Sequence, residues 1–419
     1  MKKVTLLLMC IAFVIFCGML GCSKESSTSD EETIKIGCSF PLTFKGAEAA
    51  SQSRVNAVLL AAEEVNKNGG ILGKKIEILI RDNEFDTVKC VSLADEMINL
   101  GAKAIIGCSS SSRTSVTARK STIPKNVILI SPSATSPTLT NLADNNLVFR
   151  TAPSDVFQGK VAADYAYKTA GKKTAGIIFF NDIYGVGLAE NFKTQFEKLG
   201  GQVLNFVPYD ALNDYSAYDF TSKVNTLFTG NPELIFFVSM ANDGSKIMNV
   251  IAANINLSYK PQFMGCESLY SDDFLPPNTP AAIIEGMIGT LPLDAGATNE
   301  NYQIFKTNYK AKFGIEPISF AANTYDAAYL IFYGMLKAKS TNSVEAAKYI
   351  EEISKTGEII KVGEYAKAKA ALESGKDIDY NGASGNLELD AHGDVTVGTF
   401  LIWKIENGKF KNVTTVSFP

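Results

Sequence analysis

The stretches Ala104-Ile105-Ile106-Gly107-Cys108-Ser109-Ser110-Ser111-Ser112 and Val127-Ile128-Leu129-Ile130-Ser131-Pro132-Ser133-Ala134-Thr135-Ser136-Pro137 decide the fold of this chain. Each begins as a short apolar run of the kind that makes a fully buried strand, and each passes directly into small polar residues. Parallel strands in open α/β sheets place ligands just beyond their carboxyl ends, so the two loops read as half of a binding site.

The flanking sequence supports that reading. Ile34-Lys35-Ile36-Gly37-Cys38 predicts a strand, residues 54–66 an amphipathic helix stopped by Asn68-Gly69-Gly70, residues 75–81 a strand and residues 87–100 a helix, with another helix from about Arg113. This β-α alternation predicts a parallel, doubly wound sheet. A second series follows Arg150-Thr151-Ala152-Pro153. Helices are expected over 156–169, 187–199, 217–228 and 244–254, with strands over 175–180, 203–207 and 234–238. Beyond these come helices near 302–313, 320–337 and 344–354, then strands over 385–389, 399–405 and 409–416. Asn407-Gly408 is a strong hairpin signal between the last two. The pattern is that of two α/β lobes with a cleft between them.

Composition sets the bounds. A 419-residue chain with 46% hydrophobic residues exceeds one ordinary core, and a net charge of −4 with both signs interspersed leaves no basic footprint for nucleic acid. Lys2 and Lys3 precede a mostly apolar stretch to Leu20, and the chain then turns polar from Ser23. This is the pattern of a secretory signal over residues 1–21, followed by a flexible tether over 22–33; an uncleaved membrane anchor is the competing reading. No second long apolar run exists, so the rest of the chain is expected to be soluble. Met19-Leu20-Gly21-Cys22 resembles a bacterial lipobox, with Met19 where leucine is usual, which makes Cys22 the expected lipidation site. Cys10 and Cys17 would leave with the signal, and Cys38, Cys90, Cys108 and Cys266 remain. Two of them can pair in an oxidising compartment, although sequence does not fix which, and their spacing matches no metal motif.

Five segments carry a family resemblance: Ile130 to Pro137, Arg150-Thr151-Ala152 with Gln158-Gly159, Asp182-Ile183-Tyr184-Gly185, Gln262-Phe263-Met264-Gly265, and Tyr325-Asp326-Ala327. In order and spacing the chain resembles the branched-chain amino acid binding proteins of bacterial ABC importers from about residue 34 onward. The resemblance implies a type I periplasmic binding fold: two Rossmann-like, doubly wound lobes joined by three crossovers near Ala152, Pro292 and His392. Lobe 1 would then comprise residues 34–152 and 293–392, and lobe 2 residues 153–292 and 393–419. It further implies a monomer outside the cytoplasm, anchored through lipidated Cys22, that closes around an amino acid and hands it to an ABC permease without any cofactor.

A zwitterion needs donors for its carboxylate and a charged acceptor for its ammonium. Hydroxyls and amides at the helix start near Arg113 suit the carboxylate. Within the resemblance, Ser111 matches a carboxylate-binding serine, with Ser110 and Ser112 as rivals one residue away. Ser133 matches a position whose carbonyl accepts from the ammonium, and Thr135 one that binds through hydroxyl and backbone, with Ala134 between them. Glu267 matches the acidic partner of the ammonium, and Tyr184 an aromatic residue bordering the cleft. Departures fall on the side-chain pocket, where Ala50 and Met240 stand in place of tyrosines, and on Phe85, which occupies one half of a disulfide seen in some relatives. An amino acid is thus a firmer expectation than leucine. Amides, urea or small carboxylates are alternative ligands, and a ligand-sensing regulator is an alternative role. Catalysis finds little support: the single histidine, His392, sits in the turn Asp390-Ala391-His392-Gly393-Asp394, and no nucleophile elbow or phosphate loop accompanies it.

Overall fold

The computed structural model describes residues 33–254, 259–293 and 299–418. The expected signal segment, Cys22 and all of the tether except Thr33 lie outside the described residues, and Ile34 to Pro419 form one compact body.

That body holds two α/β lobes. The first is built on five parallel strands, β1 (Ile34–Phe40), β2 (Ile76–Asp82), β3 (Ala104–Gly107), β4 (Ile128–Ser131) and β5 (Val148–Arg150), in the order β2-β1-β3-β4-β5. The alternation of side chains along each strand feeds two cores. Ile36, Ile106 and Ile130 face the core that includes Val58, Tyr329 and Leu330, while Ile105 and Leu129 face Met97 and Ala118 on the other side. The helix Ala321–Ala338 is buried along almost its whole length. A helix that is apolar on all sides belongs inside, and its Tyr325 and Tyr329 hydroxyls donate to Glu64 at 2.5 and 2.7 Å.

The second lobe contains β6 (Thr174–Phe180), β7 (Gln202–Tyr209), β8 (Leu234–Val238), β9 (Gln262–Gly265) and β10 (Ile288–Leu293). A small sheet of β11 (Glu358–Ile360), β12 (Ile378–Gly382) and β13 (Gly385–Asn386) packs with the first lobe's core. The chain then returns to the second sheet as β14 (Gly398–Glu406) and β15 (Lys409–Phe418), giving the order β15-β14-β10-β9-β8-β6-β7. β14 and β15 are antiparallel, and the hairpin between them has Asn407 and Gly408 at φ 54° and 68°, the two positive values that a type I′ turn demands. Trp403 explains Gly289: a Cβ there would meet the indole at 2.0 Å.

In both sheets the strand order reverses beside the first strand of the lobe, between β1 and β3 and between β6 and β8. The crevices at these switch points open at the carboxyl ends of the strands. They expose the loops after β1 and β3 in one lobe, with the loop after β4 beside them, and those after β6 and β8 in the other.

Several expectations need correction. Residues 385–389 do not form one strand: only Gly385–Asn386 pairs with β12, Glu388 turns the backbone at φ 36°, and Leu389 makes a single bridge to Val395. The helix expected over 217–228 is confined to Thr221–Leu227. The short strands β5 and β10 to β12, together with the helix Tyr365–Glu373, are absent from the sequence reading.

Candidate functional site

The serine run after β3 divides its work residue by residue. Ser110 caps the helix Ser111–Thr117, accepting from the Arg113 amide at 3.5 Å and from its guanidinium at 3.2 Å. Ser111 is buried, and its Oγ accepts from the amides of Thr135 and Ser136 at 3.2 and 3.1 Å, joining the first loop to the second. Ser112 points the other way and donates to Asp182 of the second lobe at 2.5 Å. The three serines thus make three different contacts, and Ser111 is the one set between the loops.

The second loop is built as a shelf. Ser131 Oγ donates to the Cys108 carbonyl and accepts from the Ala134 amide, so Ala134 lies fully buried with its amide committed. Ser133 Oγ donates to the Ser109 carbonyl at 3.2 Å. The Thr135 carbonyl accepts from the Asp155 amide at 2.8 Å. Ser136 Oγ donates to the Ile183 carbonyl at 2.6 Å, a second bond across the cleft, and Arg113 reaches Asn213 at 3.1 Å as a third.

From the second lobe, Asp182 caps the helix Ile183–Lys198 by accepting from the Tyr184 and Gly185 amides, both at 2.9 Å, which fixes where the Tyr184 ring leaves the helix. The Tyr184 hydroxyl donates to Glu267 Oε1 at 2.5 Å, and Gln158 Nε2 donates to Oε2 at 2.6 Å. Burial pushes the Glu267 carboxyl above its ordinary range, opposed by these two bonds, and pushes the Tyr184 hydroxyl well up. Met240, at the end of β8, is half-buried against the second core, and Ala50 is half-buried in the helix Glu48–Lys67. Phe85 lies beneath the Arg113 guanidinium, whose carbon is 3.4 Å from the ring centroid.

Three residues near these loops escaped the sequence reading. Asp155 opens the helix Asp155–Asp164, is 0% exposed, and neither carboxylate oxygen accepts a hydrogen bond. Its only sequence signal was the Ser154-Asp155 pair, the usual grammar of a helix start. Arg150, 2% exposed, grips Asp394 with Nε and Nη2 at 2.7 and 2.6 Å and donates through Nη1 to the Ser136 carbonyl. Those two residues are 244 positions apart, too far for any local pattern to pair them. Arg54 donates to Ser109 Oγ at 3.1 Å, with its guanidinium 6.0 Å from the Phe40 ring and 5.5 Å from the Phe320 ring.

Elsewhere, Cys38, Cys90, Cys108 and Cys266 are buried free thiols. Among the described residues, no group of three or more His, Cys, Asp or Glu is placed to hold a metal. His392 is exposed in its turn, where its amide donates to Asp390. A surface depression of about 390 Å³ bordered by Pro137, Asp182 and Gly187 lies at the lobe junction. The carboxylate and hydroxyl chemistry gathers instead around Ser111, Thr135, Asp155, Tyr184 and Glu267.

Such an arrangement places hydroxyls and loop carbonyls on one wall and carboxylates on the other, which suits a small polar ligand. The chain is 28% identical over 337 residues, 80% of its length and 86% of the relative's, to the leucine-, isoleucine-, valine-, threonine- and alanine-binding protein of Pseudomonas aeruginosa. Its fold superimposes with a TM-score of 0.73, at 21% identity, on the branched-chain amino acid transporter substrate-binding protein of Streptococcus pneumoniae in complex with isoleucine, covering 92% of this chain and 100% of that one. It also superimposes with a TM-score of 0.70, at 18% identity, on a solute-binding protein of R. palustris in complex with benzoate, covering 92% and 96%. The profile of the periplasmic binding proteins matches residues 33–409, nearly the whole described body, and the chain belongs to that family.

Proposed function

We propose that this protein captures an amino acid, branched-chain or related, between its lobes and delivers it to an ABC permease. Family membership makes it a binding receptor rather than an enzyme and places it outside the cytoplasm. In the proposed complex Ser111, Ser133, Ala134 and Thr135 meet the amino acid backbone from the first lobe. Glu267 meets its ammonium from the second, with Tyr184 alongside and Met240 toward the side chain. One observation carries the reading: Tyr184 and Gln158 hold the Glu267 carboxylate in a fixed orientation although burial disfavours its charge, an arrangement that a cationic ligand would complete. Closure follows because a ligand touching both lobes favours the state in which both touch it. The same reading has the protein acting as a monomer tethered to the membrane through lipidated Cys22.

A second reading, a small carboxylate without a cation, draws on Arg54 beside Ser109 and between the Phe40 and Phe320 rings. A thermal-shift screen confirmed by calorimetry separates the two, because a ligand of the native state stabilises it by mass action. Leucine, isoleucine, valine, threonine and alanine are tested beside glutamate, amides and benzoate. Stabilisation by amino acids and none by benzoate is expected; the reverse would overturn the amino acid assignment. Co-purification with the products of a neighbouring permease operon separates a transport role from a sensing one.

A further inference from the structure

We propose that Arg113 is a latch at the mouth of the cleft: it is built into the first lobe, closes on Asn213 of the second, and sets how long a captured solute stays rather than which solute is captured. The proposal rests on the receptor reading above and adds to it a contact that involves no solute.

The chain passes between the two sheets after β5, after β10 and before β14, so the connections gather toward one end of each sheet. The strands at the opposite ends are β2 and β7. Phe85 follows β2, Asn213 follows β7, and Arg113 joins them: its Nε donates to the Phe85 carbonyl at 2.6 Å and its Nη2 to Asn213 Oδ1 at 3.1 Å. In a hinge motion about those connections, a bond at the far end has a long lever arm, and opening must break it early.

Arg113 is ordered from its own side. Its Nη1 donates to Ser110 Oγ at 3.2 Å, and its guanidinium lies over the Phe85 ring, which packs in turn on Phe44 with ring centroids 4.7 Å apart. The turn that presents Phe85 is strained, since Glu84 and Phe85 sit at φ 51° and 58°, a left-handed conformation that side chains of this size avoid. Asp82 and Asn83 hold it there, accepting from the Glu84 amide at 2.9 Å and the Phe85 amide at 3.0 Å. Strain of this kind persists only where the surroundings over-determine it, and it gathers at ligand clamps and switch segments. Across the cleft, the Tyr215 hydroxyl donates to the Asp210 carbonyl at 2.9 Å and accepts from the Leu212 amide at 3.0 Å, fixing the loop that carries Asn213. Both partners are thus ordered before they meet, so the closing bond loses little side-chain entropy. Opening breaks the bond to Asn213, while the contacts of Arg113 with Phe85 and Ser110 lie within the first lobe and survive.

Asn213 is exposed, so replacing it leaves both cores untouched. The full-length wild-type protein, Asn213→Ala and Asn213→Asp are each loaded with the amino acids that stabilise the wild type, and release is followed by stopped-flow fluorescence. For a hydrogen bond to a charged, partly exposed donor, dissociation from Asn213→Ala is expected to be about three- to tenfold faster, by the same factor for every bound amino acid, with the association rate within about twofold of wild type. Asn213→Asp turns the contact into an ion pair and is expected to slow release at low salt, an effect that high salt removes. Unchanged dissociation from Asn213→Ala overturns the proposal. So does a factor that varies from one amino acid to another, because Asn213 would then be touching the solute; either result leaves the receptor reading intact. If no amino acid binds, the receptor reading falls, and small-angle scattering of the unliganded variants decides the latch alone. A larger radius of gyration for Asn213→Ala than for Asn213→Asp supports it, and equal radii overturn it.

Discussion

Replacing Ser111 by alanine tests whether one hydroxyl organises the binding wall. Its Oγ is the acceptor for two buried amides, those of Thr135 and Ser136, at 3.2 and 3.1 Å. Alanine fits the space and leaves both donors without an acceptor. A buried donor stripped of its partner costs roughly 1–3 kcal/mol, and local relaxation lowers the sum, so the expected loss is about 2–4 kcal/mol. For a body of this length the unfolding entropy is about 0.8 kcal/mol/K, which translates the loss into a fall of about 3–5 °C in Tm. The effect on the ligand has a separate origin. With the shelf tied to the first loop only through Ser131 and Ser133, Thr135 is less pre-organised, and affinity for an amino acid is expected to fall tenfold or more. Differential scanning calorimetry and isothermal titration of the same preparation measure both quantities. A Tm within 1 °C of wild type together with affinity within twofold would refute the reasoning, because neither the buried amides nor the shelf would then depend on the hydroxyl.

Glu267→Ala is expected to weaken amino acid binding tenfold or more, since truncating one partner of a buried charge pair costs about 2–5 kcal/mol; equal calorimetric affinities would count against the assignment. Asp394→Ala leaves the 2%-exposed Arg150 guanidinium without its carboxylate, and breaking a buried pair in this way costs about 3–5 kcal/mol. Chemical denaturation showing a loss below 1 kcal/mol would contradict it. Asp243 and Asp326 are pushed by burial up to about 6, and Asp155 and Glu267 are raised as well. Folded-state values above the unfolded ones mean that these groups hold more protons when folded, so their contribution to stability is lost as pH rises through about 6, beyond the range in which the lowered surface carboxyls titrate. The unliganded Tm is therefore expected to be higher at pH 5 than at pH 7.5, whereas the shift produced by an amino acid is smaller at pH 5. A scan in which the two trends run together would sink the argument.

Much of the architecture was legible because strands such as Ile34–Phe40 and Leu234–Val238 are continuous apolar runs closed by turn residues, and because the intervening helices keep their periodicity. Where the signal failed, the cause is specific. β5 is three residues long, β10 carries Gly289 and Pro292, and the pairing of β11 with β12 spans 20 residues between partners such as Glu358 and Ile378. In the candidate site, loop residues chosen by register, Ser111, Ser133, Thr135 and Tyr184, fall on facing walls. Asp155 and Arg150 were overlooked for a different reason: one looks like an ordinary helix start, and the other draws its meaning from Asp394 in a distant turn. The helix that follows the serine run spans seven residues before passing into a π-type turn at Ala118–Thr122, a change of winding that the apolar pattern does not signal.

The bonds from Ser112 to Asp182 and from Ser136 to the Ile183 carbonyl join the two lobes directly. In the proposed receptor, lobe-to-lobe contacts of this kind would favour the closed state independently of the solute and so reduce the conformational tax on capture. In the proposed transport role the same contacts would blur the difference between a loaded and an unloaded protein at a docking permease. Discrimination must then come from the release side, where a transporter that pries the lobes apart finds either a solute or nothing, and Ser112 and Ser136 become residues that set how often that effort is wasted.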